Sequence, residues 1–319
     1  MDSALKAFPG LMFDQSYQQS LDLDVKEPQP ENFNILAIYK KDGEKLDQIE
    51  ASIALVRTLC GLAFKDWNEA FWKFKYSDLD PTTPLDILFT STRRESHPTL
   101  QTKTMMWPLR ILSHYLNQYG YAEVGFSIKF LGMPDLGYGQ LIRSKPSPPK
   151  IPQAVTNDTN ATLIFENMVP VGDSITVTSF TIDQSSAIYT PYNIYSLLMN
   201  VMVLMAEQGS TSQNFGFSAY NVEADLSLQW RPQNEAVLPK FTNRAIILAT
   251  HSVAKLLPAY QDKDLNWREC RWDIKSDGRT IGEGRLLKGR VEHPNNITVP
   301  EAAGTAPIQS LNSLPSAAM

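Results

Sequence analysis

The chain has 319 residues, 43% of them hydrophobic and 20% charged, with a formal net charge of -5. That length allows about two domains and a core that needs no disulfide or metal staple. No apolar run approaches the roughly 18 residues of a membrane span, and a pI near 5.5 carries no electrostatic footprint for nucleic acid. Residues 1–31 are polar and lack the apolar core of a signal peptide, so they read as a mobile segment of a cytoplasmic protein.

Along the chain, residues 33–39 (FNILAIY) predict a strand that opens a first α+β repeat, residues 32–143. Residues 46–67 carry Ile49, Ile53, Val56, Leu59 and Ala63 at helical spacing. An extra strand is expected at 71–76 and another at 85–90. A second helix follows Pro98, over 104–118. The half closes on Glu123-Val-Gly-Phe-Ser-Ile-Lys129, turn chemistry at 132–135, and Gly137-Tyr-Gly-Gln-Leu-Ile-Arg143. Alternating Val124, Phe126 and Ile128 have the period of a half-buried strand, so this closing piece is an antiparallel hairpin.

Residues 144–162 are rich in Pro, Ser, Thr and Asn and read as a linker. The order then recurs in a second repeat, 163–291. It predicts a strand at 174–178, a helix at 192–208, strands at 215–220 and 224–229, and a helix at 242–257. The helix at 192–208 is apolar almost all round, which predicts burial. The second half ends on Glu269-Cys-Arg-Trp-Asp-Ile-Lys275 and Gly282-Glu-Gly-Arg-Leu-Leu-Lys288, joined by a strong hairpin signal, Asp277-Gly278. Glu, aromatic, Ile and Lys recur at matching spacing in both closing strands, and so does Gly-x-Gly. Those glycines suit hairpin geometry or close backbone approach, since neither run has a third glycine or opens a helix. Residues 292–319 read as a disordered tail.

The expectation is therefore an α+β chain: a tandem duplication of a β-α-β-α-β-β unit, pseudo-two-fold, ferredoxin-like with an added strand. Its layout resembles uncharacterised duplicated α+β proteins of filamentous fungi. That resemblance implies no catalytic residues and no substrate.

Chemistry is sparse. The chain has no Walker loop, HExxH, GxSxG elbow or Rossmann fingerprint, so no cofactor is expected. Asp22-Leu-Asp24, Asp78-Leu-Asp80 and Asp262-Lys-Asp264 sit in polar loops and are read as solvated, with no metal expected. Cys60 and Cys270 read as small buried hydrophobes. Of the four histidines, His97 and His293 precede prolines, while His114 and His251 lie on the second helix of each half. Arg110 stands one turn before His114, and His251 one turn before Lys255. His114, His251 and Arg110 are the catalytic candidates, because a histidine beside a cleft can move a proton near neutral pH. Trp230, Trp107 and Met202 are the candidates to contact an apolar ligand. The leading expectation is an apolar small molecule bound between the repeats, as in a cofactor-independent isomerase or cyclase of specialised metabolism. The alternative is a non-catalytic binding or assembly protein. A filled interface with an exposed apolar patch points to the alternative.

Overall fold

The computed structural model describes residues 30, 32–39, 43–77, 85–93, 98–144, 163–165, 175–183, 186, 188–214, 216–221, 224–233, 240–260 and 267–289. The first half runs β1 (Phe33–Tyr39), α1 (Gln48–Ala63), β2 (Ala70–Phe71), β3 (Lys73–Ser77), β4 (Leu85–Ser91), β5 (Leu100–Gln101), α2 (Thr102–Tyr119), β6 (Val124–Phe130) and β7 (Gly137–Arg143). The second runs β8 (Leu163–Phe165), β9 (Thr176–Ile182), β10 (Ile188–Tyr189), α3 (Pro191–Glu207), β11 (Phe217–Asn221), β12 (Leu226–Pro232), α4 (Asn243–Leu256), β13 (Trp267–Arg268), β14 (Cys270–Ser276) and β15 (Arg279–Lys288).

The fold is mixed α+β, with four α-helices and three wholly antiparallel sheets among the described residues. The first large sheet has the order β1-β6-β7-β4-β3-β8 and is antiparallel except where β8 runs parallel to β3. Leu163–Phe165, which the sequence assigns to the second repeat, thus completes the first sheet. The second large sheet has the order β11-β12-β15-β14-β9. Two small pairs, β2 with β5 and β10 with β13, tie the helix ends. The ferredoxin-like order is corrected here. A split βαβ sets its first strand parallel to a neighbour, whereas β1 pairs antiparallel with β6, and β7 inserts between β6 and β4.

Local chemistry sets the helices. Asp47 Oδ1 accepts from the backbone N–H of Ile49 and Glu50 and starts α1. Thr190 accepts from Asn193 with Pro191 at the first turn of α3, and Thr242 accepts from Ala245 to start α4. The Asp277-Gly278 turn has both residues at positive φ, 50° and 76°, as a tight hairpin requires. Strand β9 departs from its expected bounds because Ser179, at φ 54°, breaks the alternation and lets Phe180 turn inward onto Trp272.

The four helices lie between the two large sheets. Helices α1 and α2 pack on β4 and β1, α3 and α4 pack on β12 and β9, and α1 packs against α3. The inner faces of both sheets and all four helices form one buried apolar cluster. Residues Leu55, Leu59, Leu62, Val201, Met202 and Met205 have no exposed surface.

The Gly-x-Gly runs have a packing reason. A Cβ on Gly139 would stand 2.1 Å from the Phe126 ring, and one on Gly284 would stand 2.3 Å from the Trp272 ring. Likewise Gly137 sits under Leu100 and Gly282 under Phe241. Each glycine makes room for an inward aromatic or aliphatic side chain.

Candidate functional site: the two helix seams

Polar side chains enter the helix layer at two crossings. At the α2–α3 crossing, Arg110 Nη1 donates to Asn200 Oδ1 at 3.0 Å. One turn along α2, His114 Nδ1 lies 2.7 Å from Tyr192 Oη. Arg110 is 7% exposed and Asn200 is buried deeper still. A guanidinium at that depth needs hydrogen-bond acceptors to stay charged, and the Asn200 carbonyl is one. Asn200 Nδ2 has no hydrogen-bond partner among the described residues.

At the α1–α4 crossing the chemistry differs. His251 is also 7% exposed. Burial, with the charges of Lys255 and then Arg57 adding, pushes its imidazole from the ordinary 6.5 down to about 3. The ring is therefore neutral at neutral pH, able to accept a hydrogen bond at one nitrogen and donate at the other. Arg57 on α1 is half-buried and Lys255 on α4 is exposed. Tyr195 of α3 lies alongside, its hydroxyl donating to the Ala254 carbonyl at 3.0 Å. Burial raises the Tyr195 phenol far above its ordinary value and the Cys60 thiol to about 12, which keeps both neutral.

The sequence candidates thus fall into separate places. Arg110 and His114 bond across to α3, while His251 lies on α4, which packs on α1. Trp107 lies on the first sheet's side, edge-on to Phe33 at 5.0 Å. Trp230 lies on the second sheet's side, edge-on to Trp272 at 5.4 Å. Met202 is fully buried in α3. Sequence reasoning missed Arg57, Asn200 and Tyr192. Their signal was positional: Arg57 and Asn200 stand equally far from the N-caps of α1 and α3, as Arg110 and His251 do from the starts of α2 and α4.

Both cysteines are buried and free. Among the described residues, no group of three or more His, Cys, Asp or Glu could hold a metal ion. No helix among them is long and apolar enough to cross a membrane. The three Asp-x-Asp pairs, His97, His293, most of 144–162 and nearly all of the two terminal segments lie outside the described residues.

A third feature is on the surface. Leu131, Met133 and Tyr138 are 56%, 63% and 50% exposed, and all three belong to the β6–β7 hairpin. By strand alternation, Leu36 and Ile38 of β1, Leu88 of β4 and Ile142 of β7 point to the outer face beside them. Gly125 and Ser127 of β6 separate the two apolar walls.

Taken together, these features define a class by architecture: an α+β chain with two helix-backed sheets and cationic or hydrogen-bonded helix crossings. Comparison with protein-family models, curated proteins and solved structures found no match.

Proposed function

We propose that the chain is two copies of one α+β unit, packed through their helices about a pseudo-two-fold axis, and that it works as a non-catalytic binding or assembly protein. Several particulars support the duplication. Each large sheet orders the main strands of its half alike: first, fourth, fifth, third, second, with β8 added to one. The β10–β13 pair around α3 and α4 has its counterpart in the Lys45–Ala122 bridge around α1 and α2. The β2–β5 pair has its counterpart in the Gln213–Thr242 bridge. The glycine–aromatic contacts recur as well.

The observation that carries the functional reading is the exposed apolar hairpin, Leu131, Met133 and Tyr138, on a molecule whose inter-sheet layer is packed by α1 and α3. Exposed apolar side chains clustered with an apolar sheet face mark interaction surfaces. The competing reading is a cofactor-independent isomerase or cyclase with an apolar substrate between the halves. It draws on one observation, the buried neutral imidazole of His251, which has the protonation state of a base.

Native mass spectrometry of the protein purified from its source separates the two. The binding reading predicts a complex with another polypeptide that is lost in the Leu131→Ser/Met133→Ser variant. A stoichiometric apolar small molecule, retained in that variant and released by His251→Ala, would sink it.

A further inference from the structure

We propose that residues 4–13 of this same chain dock on the apolar outer face of the first sheet, in a trough that runs along β6 between β1 and β7. The proposal rests on the reading of that face as an interaction surface, and the docked segment is what an outside polypeptide displaces.

Strand register builds the trough. Across the outer face Ile38 stands opposite Gly125, Gly125 opposite Gln140, and Gln140 opposite Leu88. The next row is Leu36, Ser127, Tyr138 and Thr90. The floor along β6 is therefore Gly125 and Ser127, and a Cβ added to Gly125 would meet nothing closer than 3.9 Å. Leu36 and Ile38 form one wall, and Tyr138, 50% exposed, stands on the other. The walls are two strand spacings apart, about 10 Å, which leaves room for one row of side chains from a chain laid along β6. Leu131 and Met133 flank the open end at the hairpin.

Chain path, reach and charge select the occupant. The chain enters β1 at the hairpin end of the trough, where the Leu131 N–H donates to the Asn32 carbonyl at 2.6 Å. The Phe33 N–H donates to the Pro30 carbonyl at 3.0 Å, so the chain reverses as it enters β1. Helix α2 packs on the inner side of β1, which leaves its edge and its outer face. Residues 4–13 are the apolar exception in the polar stretch before β1, with Leu5, Phe8, Leu11, Met12 and Phe13. Residues 14–29 span up to about 50 Å when extended, more than the length or width of the sheet, so 4–13 reaches the whole trough. The connecting stretch is acidic: Asp14, Asp22, Asp24 and Glu27 stand against Lys26. Lys129 lies on the outer face opposite Asn34, beside the turn, with no ion pair among the described residues. The acidic stretch thus meets a cation on its way to the trough. Tethering raises the local concentration of the segment, so modest apolar contact suffices to hold it.

The test places a photoreactive phenylalanine derivative at Tyr138, on the trough wall, in the purified full chain, and at Arg271 as a control. Cross-linked peptides are mapped by mass spectrometry. The expected result is a cross-link from position 138 to residues 4–13 of the same molecule, at a yield unchanged on dilution, and none from position 271. Phe8→Ser/Leu11→Ser should lower that yield by ~5-fold or more, through lost apolar burial. Lys129→Glu should lower it by roughly 2-fold, the worth of one surface ion pair, and adding Asp22→Lys/Asp24→Lys should restore it. Lys129 is no part of the buried core, so its substitution leaves the fold in place. No cross-link to 4–13, a yield that rises with concentration because a second copy fills the trough, or a yield indifferent to Phe8→Ser/Leu11→Ser would overturn the proposal. The partner reading fails separately. An internal cross-link in the pure protein with no adduct in cells removes the partner and keeps the docked segment; an adduct in cells with no internal cross-link does the reverse.

Discussion

The two large sheets of this protein share an inner design and differ on their outer faces. Inside, Phe126 lies over Gly139 and Trp272 lies over Gly284, and each sheet presses apolar rows onto the helices. Outside, the second sheet carries Arg271, Asp273, Lys275, Glu283 and Arg285, with Arg285 and Glu283 paired at 2.8 Å. The first has an ion pair there, Lys75–Asp86 at 3.0 Å, and beside it presents Leu36, Ile38, Leu88, Tyr138 and Ile142, with Leu131 and Met133 exposed at the hairpin. The helix crossings differ in the same manner. One is closed by Arg110–Asn200 and His114–Tyr192 bonds, and the other gathers Arg57, His251 and Lys255. Packed positions are held by volume, because a close-packed core resents a change of one methylene. Outer positions are free of that constraint, and there the two halves have taken different chemistry.

The largest expected effect tests the shared interior. Gly139→Ala and Gly284→Ala each drive a methyl group into an aromatic ring, and each should destabilise by about 3 kcal/mol. Chemical denaturation measures both. Similar losses sharpen the picture of matched halves; a loss at one site alone breaks it.

The next effect separates the seams by pH. The unfolded chain binds a proton at His251 near 6.5, whereas the folded chain binds it only near 3. Between those values the unfolded state holds more protons, so stability is complete above about pH 6.5 and is lost as pH falls. The slope is about 1.4 kcal/mol per pH unit, or about 2 kcal/mol by pH 5. Denaturation midpoints across this range should show the decline in the native chain and a shallower one in His251→Gln.

A smaller effect tests the closed seam. A double-mutant cycle of Arg110→Met and Asn200→Leu should return a coupling of about 1.5 kcal/mol, the lower end of what one buried bond to a charged group is worth. The smallest concerns the surface: Leu131→Ser and Met133→Ser should each change stability by less than about 0.5 kcal/mol. A larger loss would mean that the hairpin supports the fold rather than a partner.

Much of the scaffold was legible in the sequence because it rests on local signals. Period two marked Val124–Phe130 and Cys270–Ser276 as strands, Asp277-Gly278 marked a hairpin, and the apolar run of α3 marked a buried helix. The strand order was not legible. Whether β7 joins β4 or β1 joins a parallel neighbour depends on contacts far apart in sequence, which periodicity does not encode. The pairing of Leu163–Phe165 with β3 was not legible for the same reason. Of the candidate sites, Arg110, His114 and His251 stood out as polar residues on amphipathic helices. Their partners did not, because Arg57, Tyr192 and Asn200 sit on helices that read as apolar and meet them only across the helix layer.

The claim that the first sheet's hairpin is an interaction surface is tested most directly by site-specific photo-cross-linking in cells of the source organism. A photoreactive residue replaces Met133 in one variant and Arg271, on the charged face of the second sheet, in another. The account predicts a discrete adduct from position 133, absent from position 271 and abolished by adding Leu131→Ser. No adduct at 133, or the same adduct at both positions, would contradict it.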